Sequence, residues 1–253
     1  LRDIFNHSTV SDLAALLDGY QKDQQIVVKL NEESPQNKNA FLIPPIVGSP
    51  TIYKSMALRL KDRYNCYGFQ FRGFEKGEEP YQSREELFND FIKEISARTA
   101  HGAEVMIAGY SIGAVIAFEL TKKLEALGYL VTLVLIDKEA DKFPEGHDLS
   151  ALLQNEMTQW KQQLSGLDFD SITNMATQML GLFQDFAPEG QVREMIAFEA
   201  GDSPYPASMG AWEKYVSTQF DLFYLEGDHY DMLQEANLQV IGKHLTVPDG
   251  QYS

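Results

Sequence analysis

The pentapeptide Gly109-Tyr110-Ser111-Ile112-Gly113 sets a serine between glycines two residues away on either side. Such a pentapeptide recurs by chance, so its surroundings decide its meaning. Val105–Ala108 ahead of it is a short apolar run of strand type, and from Ile112 onward apolar residues recur at helical spacing. A strand–turn–helix of this kind presents a serine hydroxyl at the tip of a sharp turn, as a nucleophile elbow does. Strand and helix approach so closely there that side chains at 109 and 113 would collide, and Ala114 extends the small surface. The helix N-terminus also aims free N–H groups and a positive dipole at the point where negative charge would develop. The bland alternative is a tight turn with an idle serine.

A serine hydroxyl is a poor nucleophile until a base takes its proton. Of the five histidines, His7 lies in an N-terminal element and His101 precedes the strand at 105, at the wrong edge of a sheet. His147 falls in a helical interval, and His244 on a final helix expected to face away. His229 follows the strand Phe220–Leu225 through Glu226-Gly227-Asp228, which puts it on a loop at the same strand ends as Ser111. Asp137 closes the apolar run Leu133–Ile136, the strand directly after the helix that follows the serine. A carboxylate there can accept the imidazole N–H, fix its tautomer and stabilise the imidazolium. Asp141 is a competitor one turn further on, and Asp228 is too near His229 in sequence to face its ring. An oxyanion needs two donors. One is the N–H of Ile112; the other should come from Ile43-Pro44-Pro45-Ile46-Val47-Gly48, where the prolines have no N–H to give. Ile46 is the first able to donate, with Val47 behind it. The alternative for this loop is a rigid turn and nothing more.

The elements that must carry these groups alternate. Strand patterns at Ala40–Ile46, Tyr64–Phe71, Val105–Gly109 and Thr132–Ile136 are separated by helical stripes at 52–60, 84–98 and 112–127. Such a β-α-β-α-β order predicts an α/β fold, a mostly parallel sheet with helices on both faces. From about 140 to 208 helical stripes run without a convincing strand, and this interval is expected to be a helical lid over the strands' C-terminal edge. Trp160, Leu182, Phe183 and Phe186 are its candidate substrate-facing residues. The sheet pattern returns at Phe220–Leu225, and a last helix carries Leu233, Ala236, Leu238, Ile241 and Leu245.

The 253 residues suit one α/β domain, and the net charge of −16 argues against nucleic acid and anionic membranes as partners. No apolar run is long enough to cross a membrane and no export signal opens the chain. It begins at Leu1 rather than Met, as expected of a piece of something longer. One cysteine, Cys66, excludes an intramolecular disulfide, reads as an inert core position and suits a cytoplasmic setting. No group of His, Cys or carboxylates has metal-ligand spacing.

Taken together, these motifs resemble the terminal thioesterase domain of a nonribosomal peptide synthetase, a member of the α/β-hydrolase class. The resemblance rests on Phe41-Leu42-Ile43-Pro44-Pro45 with Gly48, on the elbow running into Ala117-Phe118-Glu119, on Asp137, and on Gly227-Asp228-His229-Tyr230-Asp231-Met232-Leu233. Upstream, Ile4-Phe5-Asn6-His7-Ser8-Thr9-Val10 and Leu13-Ala14 resemble the last helix of a peptidyl carrier domain. The resemblance therefore implies a carrier remnant with linker over residues 1–20 and a thioesterase domain over 21–253, monomeric as a domain. It implies no directly bound cofactor; the substrate is a peptidyl or acyl thioester on the phosphopantetheine arm of the upstream carrier. Ser111 would take over the chain as an acyl-serine, and water or an internal amine or hydroxyl would release it as an acid or a ring. A free-standing editing thioesterase, a general serine esterase and a degenerate hydrolase fold acting as a binding module are the rival readings.

Overall fold

A computed structural model describes residues 26–140, 149–160, 166–202 and 209–246. The carrier-like stretch, His7, Asp141 and His147 lie outside the described residues. The strands are β1 (Val27–Lys29), β2 (Lys38–Ile43), β3 (Tyr64–Phe69), β4 (Glu104–Tyr110), β5 (Leu130–Ile136), β6 (Val192–Ala200) and β7 (Val216–Leu225). The helices are α1 (Lys54–Leu60), α2 (Arg84–Arg98), α3 (Ile112–Ala126), α4 (Leu149–Gln159), α5 (Phe169–Phe183) and α6 (Glu235–Thr246), with short 3-10 turns at Pro50–Tyr53, Met209–Tyr215 and His229–Asp231.

All seven strands form one sheet in the order β1-β3-β2-β4-β5-β6-β7. Only β1 runs antiparallel, against β3; the other pairings are parallel. Parallel strands covered on both faces must be apolar throughout, and Val105–Ala108 and Leu133–Ile136 are accordingly buried residue after residue. The chain steps from β2 outward to β3, then crosses back over β2 to β4. Because such crossovers are right-handed, reversing direction moves the connecting helix to the other face. Helix α1 therefore lies on one face, where it packs on α6, while α2 and α3 pack together on the other. The reversal falls between β2 and β4, and open α/β sheets hold their ligands beyond the carboxyl ends of the strands at such a switch point.

Strand β6 corrects the reading of residues 140–208 as helical throughout. In Val192-Arg193-Glu194-Met195-Ile196-Ala197-Phe198-Glu199-Ala200 three charged residues interrupt the apolar run, and a register shift between Val192 and Glu194 breaks its alternation further. Neither strand signature survives, yet the segment fills the gap between β5 and β7. Among the described residues, the helical part of the interval comprises α4 and α5. Leu233, expected on the last helix, lies in the turn before it.

Candidate active site

Ser111 follows β4 directly and opens α3 with φ 57° and ψ −129°, a left-handed conformation that a side chain adopts only under constraint. Two glycine contacts impose it. A Cβ on Gly109 would overlap the Gly113 carbonyl and sit 2.6 Å from the Ala114 nitrogen, so the strand can meet the helix's first turn only because position 109 is bare. A Cβ on Gly113 would sit 2.6 Å from the Pro44 oxygen and overlap that of Ile43. That second contact seats the Ile43–Gly48 loop on the start of α3. The loop itself closes as a turn in which Gly48 N–H donates to the Pro45 oxygen at 2.9 Å, leaving the N–H groups of Ile46 and Val47 outside the turn bond. Ile112 is the first residue of α3, where N–H groups have no intrahelical partner. The two nominated donors, Ile46 and Ile112, thus belong to segments pressed together by Gly113.

Tyr53, fully buried, pins the end of β2 and was not among the expected residues. Its hydroxyl donates to the Ile43 oxygen at 2.7 Å, where the β2–β4 ladder ends at its last registered pair, Ile43 and Gly109. Burial pushes the Tyr53 phenol well above its ordinary value, so it stays a neutral donor.

Asp137 stands at the end of β5, also with positive φ, 44°. Its N–H donates to the Phe198 oxygen at 2.8 Å, and its Oδ1 accepts the N–H of Ala200 at 2.8 Å. Both partners come from the end of β6, so the unanticipated strand is what orients Asp137. Oδ2 faces His229 Nδ1 at 2.7 Å. The side chains are 10% and 24% exposed, so the pair is largely shielded while the ring keeps one side open. With the Nδ1 proton directed at the carboxylate, Nε2 carries the free lone pair.

His229 sits in a 3-10 turn capped reciprocally. Asp228 Oδ1 accepts Tyr230 N–H at 2.8 Å and Asp231 Oδ2 accepts Asp228 N–H at 3.1 Å. Gly227, at φ 85°, permits the entry into this turn, because a Cβ there would overlap the Asp231 carboxylate. The neighbouring Asp228, discounted from the sequence, is therefore a cap. Tyr110 hydroxyl donates to the His229 carbonyl, and the two rings lie 4.9 Å apart. Burial first, then the carboxylates of Glu156 and Asp137, hold the Tyr110 phenol far above its usual range, so it remains a donor. Among the described residues no hydrogen bond joins Ser111 to the imidazole, an open arrangement common in sites without substrate.

The remaining expected residues divide. Trp160 faces the site: its ring is edge-on to Tyr110 at 6.3 Å, and its Nε1–H donates to Glu156 Oε2 at 3.2 Å. Phe183 packs edge-on to Phe88 of α2 at 6.3 Å and under the Arg84 guanidinium at 5.1 Å. Leu182 offers its carbonyl to the same Arg84, and Phe186 is buried. Phe183 and Leu182 thus bind α5 to α2. His244 stacks on Phe223 at 3.6 Å, with its neighbour Lys243 on α6. Among the described residues no group of three or more His, Cys, Asp or Glu side chains could hold a metal ion.

A seven-stranded, largely parallel sheet, a serine on a strained turn after the strand at its switch point, and an aspartate–histidine pair on the same edge define the α/β-hydrolase fold. The thioesterase domain family matches residues 39–246, and the chain belongs to that family. It is 24% identical over 280 residues to an aspulvinone E synthetase of Aspergillus terreus, covering 91% of this chain and 30% of that protein. The chain therefore spans less than a third of that relative's length. Among solved structures it is similar to the thioesterase domain that cyclises the lipopeptide antibiotic surfactin, with TM-score 0.72 and 20% identity over 90% of this chain and 99% of that one. A type II thioesterase, BorB of the borrelidin biosynthetic cluster, matches with TM-score 0.71 and 22% identity over 89% and 99%.

Proposed function

We propose that the chain is the terminal thioesterase of a nonribosomal peptide synthetase, and that it releases a peptidyl thioester from an upstream carrier through an acyl-serine. The observation that carries the serine chemistry is the 2.7 Å Asp137–His229 bond at the rim where Ser111 stands on its strained turn. His229 Nε2 takes the Ser111 proton as Oγ attacks the thioester carbonyl. The N–H groups of Ile112 and Ile46 receive the negative oxygen. As the carbonyl re-forms, the carbon–sulfur bond breaks and the imidazolium gives its proton to the departing phosphopantetheine thiolate. The acyl-serine is then attacked by water, or by an amine or hydroxyl of the chain itself, again deprotonated by His229. Ser111 leaves with the proton, and an acid or a ring is released.

The test is intact mass after incubation with an activated acyl thioester. The parent should gain the mass of one acyl group. Ser111→Ala should gain none, with turnover falling roughly a millionfold. An adduct that persists in Ser111→Ala removes the assignment.

The likeness to a type II thioesterase keeps an editing role as the second reading. Matched carriers loaded with a peptidyl chain or with a short acetyl group separate them: a terminal enzyme prefers the first and an editing enzyme the second.

A further inference from the structure

Glu156, on α4, is a buried carboxylate that the reaction above does not use. It is 8% exposed, and among the described residues no lysine or arginine forms an ion pair with it. A carboxylate shielded this far without a cation is expensive unless its hydrogen bonds are worth keeping. Each of its oxygens has a distinct neutral donor. Tyr230 hydroxyl donates to Oε1 at 2.8 Å, and Trp160 Nε1–H donates to Oε2 at 3.2 Å. Asn155, one residue earlier on the same helix, donates from Nδ2 to the Tyr230 hydroxyl oxygen at 3.0 Å.

The two donors lie at different places in the site. Tyr230 follows His229 directly, and its ring stands edge-on to the imidazole at 5.4 Å and 83°. Trp160 abuts Tyr110, which in turn donates to the His229 carbonyl. The contacts close into a circuit: Glu156, Tyr230, His229, Tyr110, Trp160 and back to Glu156. Through it the loop bearing His229 is held from the sheet by Asp137 and Tyr110, and from α4 by Glu156.

Resting on the serine chemistry just described, we propose that Glu156 is a positioning residue, which with Tyr230 latches helix α4 to the His229 loop and sets the imidazole for proton transfer from Ser111. Glu156 touches neither substrate nor reacting atoms; it acts through Tyr230. Placement of α4 over the site and readiness of the base are then one event, because the same carboxylate fixes both.

The experiment follows labelling of Ser111 by a small fluorophosphonate. This reaction needs the serine and its base but is too small to need the rest of a peptide pocket. Tyr230→Phe removes the latch hydroxyl and keeps the ring. Glu156→Gln keeps the shape but turns one acceptor into a donor facing a donor. Each should slow labelling about tenfold while the final stoichiometry stays complete, and the double variant should be no slower than the slower single, as expected of two groups in one contact. Loosened folding would instead lower the stoichiometry at an unchanged rate. Labelling of both singles at the parental rate, effects that multiply in the double, or a loss of stoichiometry alone would each overturn the latch. A parent that is not labelled, or a Ser111→Ala variant that still is, would overturn the serine chemistry and not the latch in particular.

Discussion

Ser111 and Asp137 both hold positive φ, at 57° and 44°, and both stand where a parallel strand gives way to a turn. Such conformations cost about 1–3 kcal/mol each and persist only where surrounding bonds over-determine them. For Asp137 those bonds are the Phe198 and Ala200 backbone partners, with the imidazole as the third. Asp137→Asn should keep the fold and still form an acyl adduct, but with turnover lower by roughly a thousand- to ten-thousandfold, because an amide no longer fixes the productive tautomer. Steady-state rates beside an unchanged circular dichroism melt check this. Cys66 behaves oppositely. Burial pushes its thiol up to about 12, so iodoacetamide at pH 8 should leave it unmodified until the protein is denatured, as peptide mass would reveal. Ser111, His229 and Asp137, the proposed nucleophile, base and acid, could be singled out because each follows a strand pattern and the order serine, aspartate, histidine restricts the choice. Glu156 and Tyr53 were not. Their roles depend on partners 74 and 10 residues away with no periodic relation, and only the packed chain shows that Glu156 meets Tyr230 or Tyr53 meets Ile43.

At the end of the β2–β4 ladder, one missing side chain lets the Ile43–Gly48 loop sit on the start of α3, and one hydroxyl pins the end of β2. Gly113→Ala should destabilise the domain by about 1–3 kcal/mol, since its methyl group meets backbone oxygens that cannot swing aside. It should also lower kcat more than KM changes, because the loop that carries the proposed Ile46 donor is pushed off the start of α3. Tyr53→Phe leaves the Ile43 oxygen without this partner and should cost about 1–3 kcal/mol in urea titrations. The element pattern shows what apolar periodicity can convey. The helix at Arg84–Arg98 was readable because its apolar stripe is regular, and the structure adds the Ser83 cap, which accepts from Glu86 N–H at 3.1 Å. Strand β6 was hidden because Arg193 and Glu194 interrupt its apolar run and the ladder shifts register beside them. Its function is larger than its signal, since its last residue orients Asp137.

The molecule as a whole carries a net charge of −16, so long-range attraction to another acidic protein is excluded. A covalently joined carrier needs no such attraction, because its local concentration is set by the linker. If the carrier precedes this domain, turnover of its thioester should change less than about twofold between low and high salt. The same thioester offered on a separate, negatively charged carrier should turn over faster as salt screens the repulsion. Stopped-flow or quench measurements at both ionic strengths compare the two.

The strand order also bears on when the proposed chemistry could begin. Ser111 follows a strand in the middle of the sheet, while His229 follows β7, which among the described residues is an edge strand paired with β6 and the last in chain order. A growing polypeptide can complete the turn at Ser111 well before His229 is made. On the reading proposed above, the hydroxyl therefore gains its power only as β7 docks.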